Sequence, residues 1–544
     1  MNQRSSVILS TLGVLFVICW QLGFSDIINA HSYIGTETRD LFDHIALLDQ
    51  WAWQTEVWNY PSGGRLIPPD LFSMIFASPW LGLGFGRGVA YDLSIVTHLI
   101  CNAASGWYLG KTTGGSPWVA AIALLCAPFC IGQLNSGETE TVGLWGLTLC
   151  LATLHQHKWT TTGFLAVITA IGSWYYGAYA ATIVGCYSIS VYIRKQDWSD
   201  KEPLMAPMTM GIGIAIPAWV YSNMLADPSQ MFRGPTMETY LTEHPRALAA
   251  FSTDPTLWLS EVPKAATHVD GLGWCFALLG MTGIWKSVSD TSWKKHWGWL
   301  LLLFMSLLMS LGPRLHVAQT VLWDWMPYDA WMQLPFLSNM RLPHRWMGVA
   351  TISLTVWIAK GARNMPILAC MFLCLESAWF VPRVERTNLE PPSIIEHFDG
   401  PILQLPVRTM EWDARGRYLV MQRVHEQPIP YSLLMQGWNS DLTEEPLTIA
   451  IAALDSEDPI SSRTVEARQF RQEAFALEVT AWGGFPQDKP QTETAERLQQ
   501  LGFSQVCFHR NLVNSSDREA MEEVLLESLG SPIITTTEAW LWTL

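Results

Sequence analysis

From Val7 to Val381 the chain passes through one apolar stretch after another, separated by polar connections, of which the first outer loop, Asp227–Asp270 and Arg314–Arg345 are long. A helix that crosses a bilayer needs about 20 mostly apolar residues, because inside the hydrocarbon every backbone N–H and C=O must be satisfied within the segment. By that measure about eleven segments qualify. They fall at 6–24, 87–110, 116–133, 139–155, 160–173, 175–193, 204–224, 271–288, 296–311, 346–360 and 365–381. The first exceeds the roughly 7–15 apolar residues of a signal peptide and is followed by no convincing cleavage site, so it reads as an uncleaved span.

The placement of positive charge orients these spans. Lys111, Lys158, Arg194 with Lys195 and Lys201, Lys286 with Lys294 and Lys295, and Lys360 with Arg363 occupy alternate connections. Cytoplasmic loops carry the excess of Lys and Arg, so all five lie in the cytoplasm together with Arg4. An odd number of spans then places the residues after 381 outside the cell. Charged residues make up 15% of the chain, against about 25% in soluble proteins, and the deficit lies almost wholly before Val381. The expected organisation is a polytopic all-α membrane domain (1–381), whose first outer loop is 25–70, followed by a small extracytoplasmic α/β domain (382–544). In that tail Pro401–Pro406 and Leu447–Ala453 are apolar runs bounded by breakers. A helix closed by Gly502, a strand over Phe503–Phe508 and a helix over Arg518–Leu529 closed by Gly530 follow.

The net charge of −15 excludes nucleic acid as a partner, since a phosphate-binding surface is basic. Every cysteine except Cys507 sits in or beside an apolar stretch, and no Cys/His spacing suits zinc. His155 and His157 fall in a cytoplasmic connection, where solvent surrounds them. His425 and His509 stand isolated in the tail.

Ionisable groups beside a membrane are costly and need a reason. In the first loop Asp40, Asp43, His44 and Leu47 share one face if the segment is helical. Trp51, Trp53 and Trp58 suit a membrane–water boundary, and Tyr60–Gly64 ends the helix. Two carboxylates one turn apart bind a divalent cation, with His44 favouring Mn²⁺ over Mg²⁺, or supply a general base. The polar face of an interfacial helix explains the same spacing. Glu138 and Glu140 begin a helix with Ser136 or Gly137 as its cap, or point a carboxylate into a cleft. Arg341, His344 and Arg345 either anchor lipid headgroups or hold a lipid-linked phosphate. Tyr175 and Tyr176 stack on a sugar ring, or belong to an interfacial aromatic belt. Asp92 and His98 are the ionisable exceptions inside a span.

The motifs TRDLFDH and NYPSGG in the first loop, NSGETE, SWYYG and NMRLPHRW, with ILQLPV, MQRVHEQPIPY and LQQLGFSQVCFHR in the tail, resemble the GT-C class of membrane glycosyltransferases, in its loosely characterised bacterial branch. The resemblance covers nearly the whole chain. It implies an enzyme of the bacterial inner membrane that takes a sugar from a polyprenyl-phosphate or pyrophosphate donor, with the acceptor unnamed. Asp40 or Asp43 would be the base or metal contact, for Mn²⁺ or Mg²⁺. Arg341 and Arg345 would hold the donor phosphate, and Glu138 or Glu140 would be a second acid in the cleft. Acidic pairs of this class are often adjacent or preceded by an aromatic, whereas Arg39 precedes Asp40 here. A lipid or solute transporter and a non-catalytic scaffold are the competing classes. Paired broken helices, the mark of many transporters, are not evident.

Overall fold

The structure, a computed structural model, describes residues 32–35, 41, 44–45, 48, 70–195, 201–225, 252–259, 271–290, 293–318, 320–334, 337, 342–380, 384, 386–389, 391–406, 412–430, 445–454 and 494–544. The chain divides into two compact units. One is Met1–Thr36, Pro69–Tyr221 and Met237–Thr387; the other is Glu37–Pro68, Ser222–Thr236 and Asn388–Leu544.

The first unit is helical. Strand β1 (Ser32–Ile34) precedes helices α1 (Leu71–Gly82), α2 (Arg87–Thr112), α3 (Pro117–Leu125), α4 (Pro128–Ser136), α5 (Thr139–Val142), α6 (Trp145–His155), α7 (Trp159–Gly172), α8 (Trp174–Lys195) and α9 (Met205–Leu225). Further on lie α10 (Trp274–Ser289), α11 (Trp293–Ser310), a hairpin of β2 (Leu315–Val317) and β3 (Thr320–Trp323), α12 (Pro327–Met332), α13 (Met347–Gly361), α14 (Pro366–Phe380) and β4 (Arg386–Asn388).

Each apolar segment expected from residue 87 onward coincides with helix; the segment 6–24 lies outside the described residues. Two segments are interrupted. Pro128 opens α4 at a first-turn position, where its missing N–H has no intrahelical partner to lose. The other break falls at Gly143, between α5 and α6. Helix α1 was not expected, because its apolar run is 12 residues and contains Pro79, short of a span. Among the described residues one helical stretch, Pro117–Asn135, is long and apolar enough to cross a membrane, with mean hydropathy 1.8. Leu71–Gly82, Trp159–Gly172 and Pro366–Ser377 are apolar but shorter.

Helix α13 is buried on every side from Met347 to Ala359, which makes it a core helix of the unit. Its neighbours approach through small residues. A Cβ at Gly283 of α10 would lie 1.9 Å from the Trp357 carbonyl oxygen, and one at Gly361 would lie 2.8 Å from the Gly283 nitrogen. Such backbone-on-backbone crossings are the close packing that small residues permit between helices in lipid. Other helices turn large apolar side chains outward, including Phe164, Ile212, Trp285, Phe304 and Met371. That outward apolar surface over a polar-containing interior is what lipid as solvent selects.

Asp92 of α2 has a structural reason to be buried. Ile34 N–H donates to its Oδ1 at 3.0 Å, and Arg386 Nη2 donates to its Oδ2. Arg386 also donates to Ser32, from Nε to Oγ at 2.8 Å and from Nη2 to the carbonyl oxygen at 3.1 Å. Strands β1 and β4 pair beside this clamp.

The second unit carries a four-stranded sheet in the order β5-β6-β8-β7, built from β5 (Ile402–Leu405), β6 (Gln505–His509), β7 (Ile534–Thr535) and β8 (Ala539–Thr543). Ile402 pairs with Gln505 in the parallel β5–β6 ladder, and β6–β8 is antiparallel. Helices α15 (Trp412–His425), α16 (Pro446–Leu454), α17 (Thr494–Gln500) and α18 (Ser515–Leu529) complete it. Of the two apolar runs bounded by breakers, the first is strand and the second is helix. Gly502 and Gly530 follow their helices with φ of 92° and 75°, the left-handed backbone that ends a helix readily only at glycine. The closing strands β7 and β8 had no counterpart in the sequence expectations.

Candidate functional site

Among the sequence candidates, Asp40, Asp43 and Arg341 lie outside the described residues, as does Trp51–Gly64. Residues 41 and 44–45 are helical, in the second unit, and His44 is buried along with Leu41, Ile45 and Leu48. His44 therefore sits on the buried stripe of that segment rather than on a solvent-facing polar face.

The remaining candidates meet in the first unit. Helix α4 ends at Ser136, and Gly137 turns the chain with φ 73°. The expected N-terminal cap at Ser136 or Gly137 is therefore a C-terminal stop. Glu138 occupies the residue before α5, and its side chain makes no cap bond. Instead its Oε2 accepts from Arg345 Nη2 at 2.6 Å, with Glu140 Oε1 3.3 Å from Arg345 Nη1. The guanidinium also lies 4.2 Å from the centre of the Tyr175 ring. Pro343 starts a single 3₁₀ turn, Pro343–Trp346, that buries His344 and Arg345. The turn delivers Arg345 at the foot of α13.

This geometry changes the reading of Arg345. A phosphate approaching it meets a cation already opposed by two carboxylates. The tyrosines change too. Tyr176 and Tyr179 are fully buried, and Tyr176 donates from its hydroxyl to the Thr141 carbonyl at 2.5 Å. Tyr179 stacks on Trp346 with ring centres 4.1 Å apart. They form a core behind the ion cluster, not an interfacial belt. Thr141 in turn donates to Gln133 Oε1 at 2.5 Å, which pins the short α5 helix and hence both glutamates.

Beside the cluster is a narrow cleft. Phe72, His98, Glu140, Trp145 and Ser173 are among the residues that line it, and Gly143, Gly146 and Gly172 bring backbone to its wall. Glu140 is the glutamate that reaches this space. Its side chain is 14% exposed against 4% for Glu138. Phe72 and Trp145 meet edge to face at 4.9 Å. Asp70 and Ser73, which sequence reasoning missed, stand behind His98. The intramembrane position of His98 was the signal that pointed here.

Two further histidine expectations change. His157 is exposed, but His155 is half-buried and stacks on His296 with centres 5.4 Å apart. In the second unit His425 and His509 are not isolated. The side-chain amide of Gln404 lies 3.2 Å from His425 Nε2 and 3.1 Å from His509 Nε2. Gln404 Nε2 is the atom that faces His425, and Gln427 N–H donates to His425 Nδ1 at 3.0 Å. Gln404 Oε1 faces His509, whose Nε2 is also 3.6 Å from Cys507 Sγ. Burial holds His425 down to about 4 and His509 down to about 3, the latter helped by the nearby His425 and Arg417.

The divalent cation implied by the resemblance was expected at Asp40 and Asp43. Among the described residues no group of three or more His, Cys, Asp or Glu side chains is placed to hold an ion, and Arg345 is the counter-ion of Glu138 and Glu140. The described donor set does not fit a metal, and no step below passes through one.

No family model matches the chain, and no curated protein matches it. Solved structures do. The fold is that of the GT-C glycosyltransferases. The arabinofuranosyltransferase AftD from Mycobacteria aligns over 100% of this chain and 40% of its own, with 12% identity and a TM-score of 0.51. The chain thus spans about two fifths of the length of AftD. The Archaeoglobus fulgidus oligosaccharyltransferase aligns over 96% of this chain and 70% of its own, at 10% identity and TM-score 0.42. ArnT from Cupriavidus metallidurans covers 100% and 98%, at 10% identity and TM-score 0.41. The last two scores add no argument to the first.

Proposed function

We propose that this protein is a membrane glycosyltransferase that moves a sugar from a polyprenyl-phosphate or pyrophosphate donor to an acceptor hydroxyl at the outer face of the bacterial inner membrane. The observation that carries the reading is the buried Arg345 held between Glu138 and Glu140, beside an aromatic-walled pocket, in a GT-C fold. The outward apolar side chains of the helices support a membrane location, and the Lys and Arg pattern supports a cytoplasmic N-terminus with an extracytoplasmic tail.

In this reading a carboxylate of the first loop, Asp40 or Asp43, takes the proton of the acceptor hydroxyl. The oxygen attacks the anomeric carbon, the bond from that carbon to the donor phosphate breaks, and the lipid phosphate departs with the electron pair. Glu140 faces the pocket and accepts hydrogen bonds from sugar hydroxyls. Glu138, shorter-bonded to Arg345, fixes the cluster. Arg341 is the cation for the departing phosphate, since Arg345 is neutralised twice over.

The test is turnover by the purified chain in lipid nanodiscs, with a panel of polyprenyl-phosphate sugars, with and without Mn²⁺. Asp40→Ala, Asp43→Ala and Glu140→Gln are assayed beside it. Loss of turnover in a first-loop variant identifies the base. Folded protein that turns over none of the donors overturns the reading in favour of a transporter or scaffold.

A further inference from the structure

The buried residues behind the pocket form a hydrogen-bond chain whose direction is fixed at every link. The indole N–H of Trp145 is 3.2 Å from His98 Nδ1. An indole can only donate, so Nδ1 accepts, and the neutral imidazole carries its proton on Nε2. That nitrogen is 3.0 Å from Ser73 Oγ and donates to it. The Ser73 hydroxyl is then left to donate to Asp70 Oδ2, its other partner. Asp70 is 3.9 Å from His98 Nε2, too far for a direct bond, so it acts through the serine. This is not a nucleophile triad, because the carboxylate binds the serine and not the imidazole.

Two independent features show that the arrangement is built. Asp70 is held by its own helix: Ser73 N–H donates to its Oδ1 at 3.0 Å, capping α1. And a Cβ at Gly143 would fall 2.6 Å from His98 Nδ1 and 3.4 Å from Trp145 Nε1. Gly143 has an ordinary φ of −75°, so glycine serves there for space and not for conformation. It leaves room for the histidine–tryptophan bond.

We propose that Asp70, Ser73 and His98 are positioning residues of the Glu140 pocket: they fix the tautomer of His98 and thereby seat Trp145 as the aromatic wall against which a sugar ring packs. The alternative tautomer, or an imidazolium, turns an N–H toward the indole N–H. Two donors then face each other, and Trp145 leaves its seat. The identity of the ligand as a glycosyl unit rests on the function proposed above; the seating of Trp145 does not.

The experiment uses the full chain in nanodiscs, labelled with 5-fluorotryptophan, with the Trp145 fluorine resonance assigned from Trp145→Phe. Ser73→Ala and His98→Ala are expected to shift or broaden that resonance while the other tryptophans hold theirs. His98→Asn, whose amide oxygen can accept where Nδ1 did, is expected to return it toward its wild-type position. If His98→Ala disturbs the resonances generally, Gly143→Ala decides the matter, since it removes no polar group and is expected to displace Trp145 alone. A Trp145 resonance unmoved in Ser73→Ala, and in His98→Ala or Gly143→Ala, overturns the proposal. Turnover is expected to fall about tenfold or more in His98→Ala and to recover in part in His98→Asn. A displaced Trp145 with undiminished turnover overturns the positioning role. If the wild-type chain turns over no donor, the glycosyltransferase reading fails, and the resonance alone judges the seating.

Discussion

Arg345 Nη2 lies 2.6 Å from Glu138 Oε2, and neither side chain exceeds 5% exposure. A buried ion pair is weak evidence of net stabilisation, but breaking one strands a charge at a cost of about 3–5 kcal/mol. Glu138→Ala and Arg345→Ala should each lower the thermal midpoint in detergent by many degrees. Arg345→Lys should not rescue, because an ammonium cannot span both carboxylates. Glu140→Gln should cost less than Glu138→Ala, since Glu140 is more exposed and its contact with Arg345 is longer. Equal losses for the two glutamates would contradict this division.

The clamp on Asp92 predicts strong coupling. Arg386→Ala leaves a buried carboxylate with Ile34 N–H as its remaining donor among the bonds described, and removes two bonds to Ser32. A double-mutant cycle of Arg386→Ala with Asp92→Asn should give an interaction energy of about 2–3 kcal/mol. A value near zero would mean that the two side chains do not meet.

At the α10–α13 crossing, Gly283→Ala should be severe and Gly280→Ala mild. A Cβ at Gly283 meets the Trp357 carbonyl at 1.9 Å, whereas one at Gly280 meets the end of the Leu354 side chain at 2.3 Å. A leucine methyl can rotate away; a backbone oxygen inside a helix cannot. Overpacking costs about 1–3 kcal/mol, with Gly280→Ala near the bottom of that range and Gly283→Ala at or beyond the top. Thermal melting of the two variants checks the order.

The sheet of the second unit should be acid-labile. His425 and His509 are neutral when folded, held down to about 4 and about 3, whereas in the unfolded chain they bind protons near 6.5. Between those values the unfolded state carries more protons, so stability falls as pH drops from about 6.5 towards 4 and is unaffected above. At about 1.4 kcal/mol per pKa unit, the loss reaches at least about 3 kcal/mol. Hydrogen exchange of Gln505–His509 in the whole chain should accelerate over that window, and less so in a His425→Gln variant. Flat protection from pH 7 to 4 would refute this.

The long helices of the first unit were legible from residue 87 on because each carries an apolar run that a breaker or a charged connection ends, whereas Pro327–Met332, and Trp412–His425 in the second unit, gave no such run. Helix α1 escaped because 12 residues fall short of the length being sought. The helix Pro446–Leu454 and the strand Ile402–Leu405 begin as similar apolar runs between breakers, and only their tertiary partners separate them. The glutamates, Tyr175 and Arg345 were legible as candidates, but not as partners. The contact between Arg345 and Glu138 spans 207 positions, and no local pattern encodes it. Asp70 and Ser73 gave no signal, since an N-terminal cap and a small serine are ordinary at a helix start. They acquire meaning only from His98, 25 residues on.

The clamp between Ser32, Asp92 and Arg386 also sets an order of events during synthesis. Arg386 is made 294 residues after Asp92 and 354 after Ser32. At 5–20 residues per second, that interval is about 15–60 s. Throughout it Asp92 lacks its counter-ion. The unit can close only when nearly all of its own sequence has left the ribosome, so its last residues act as the latch on its first.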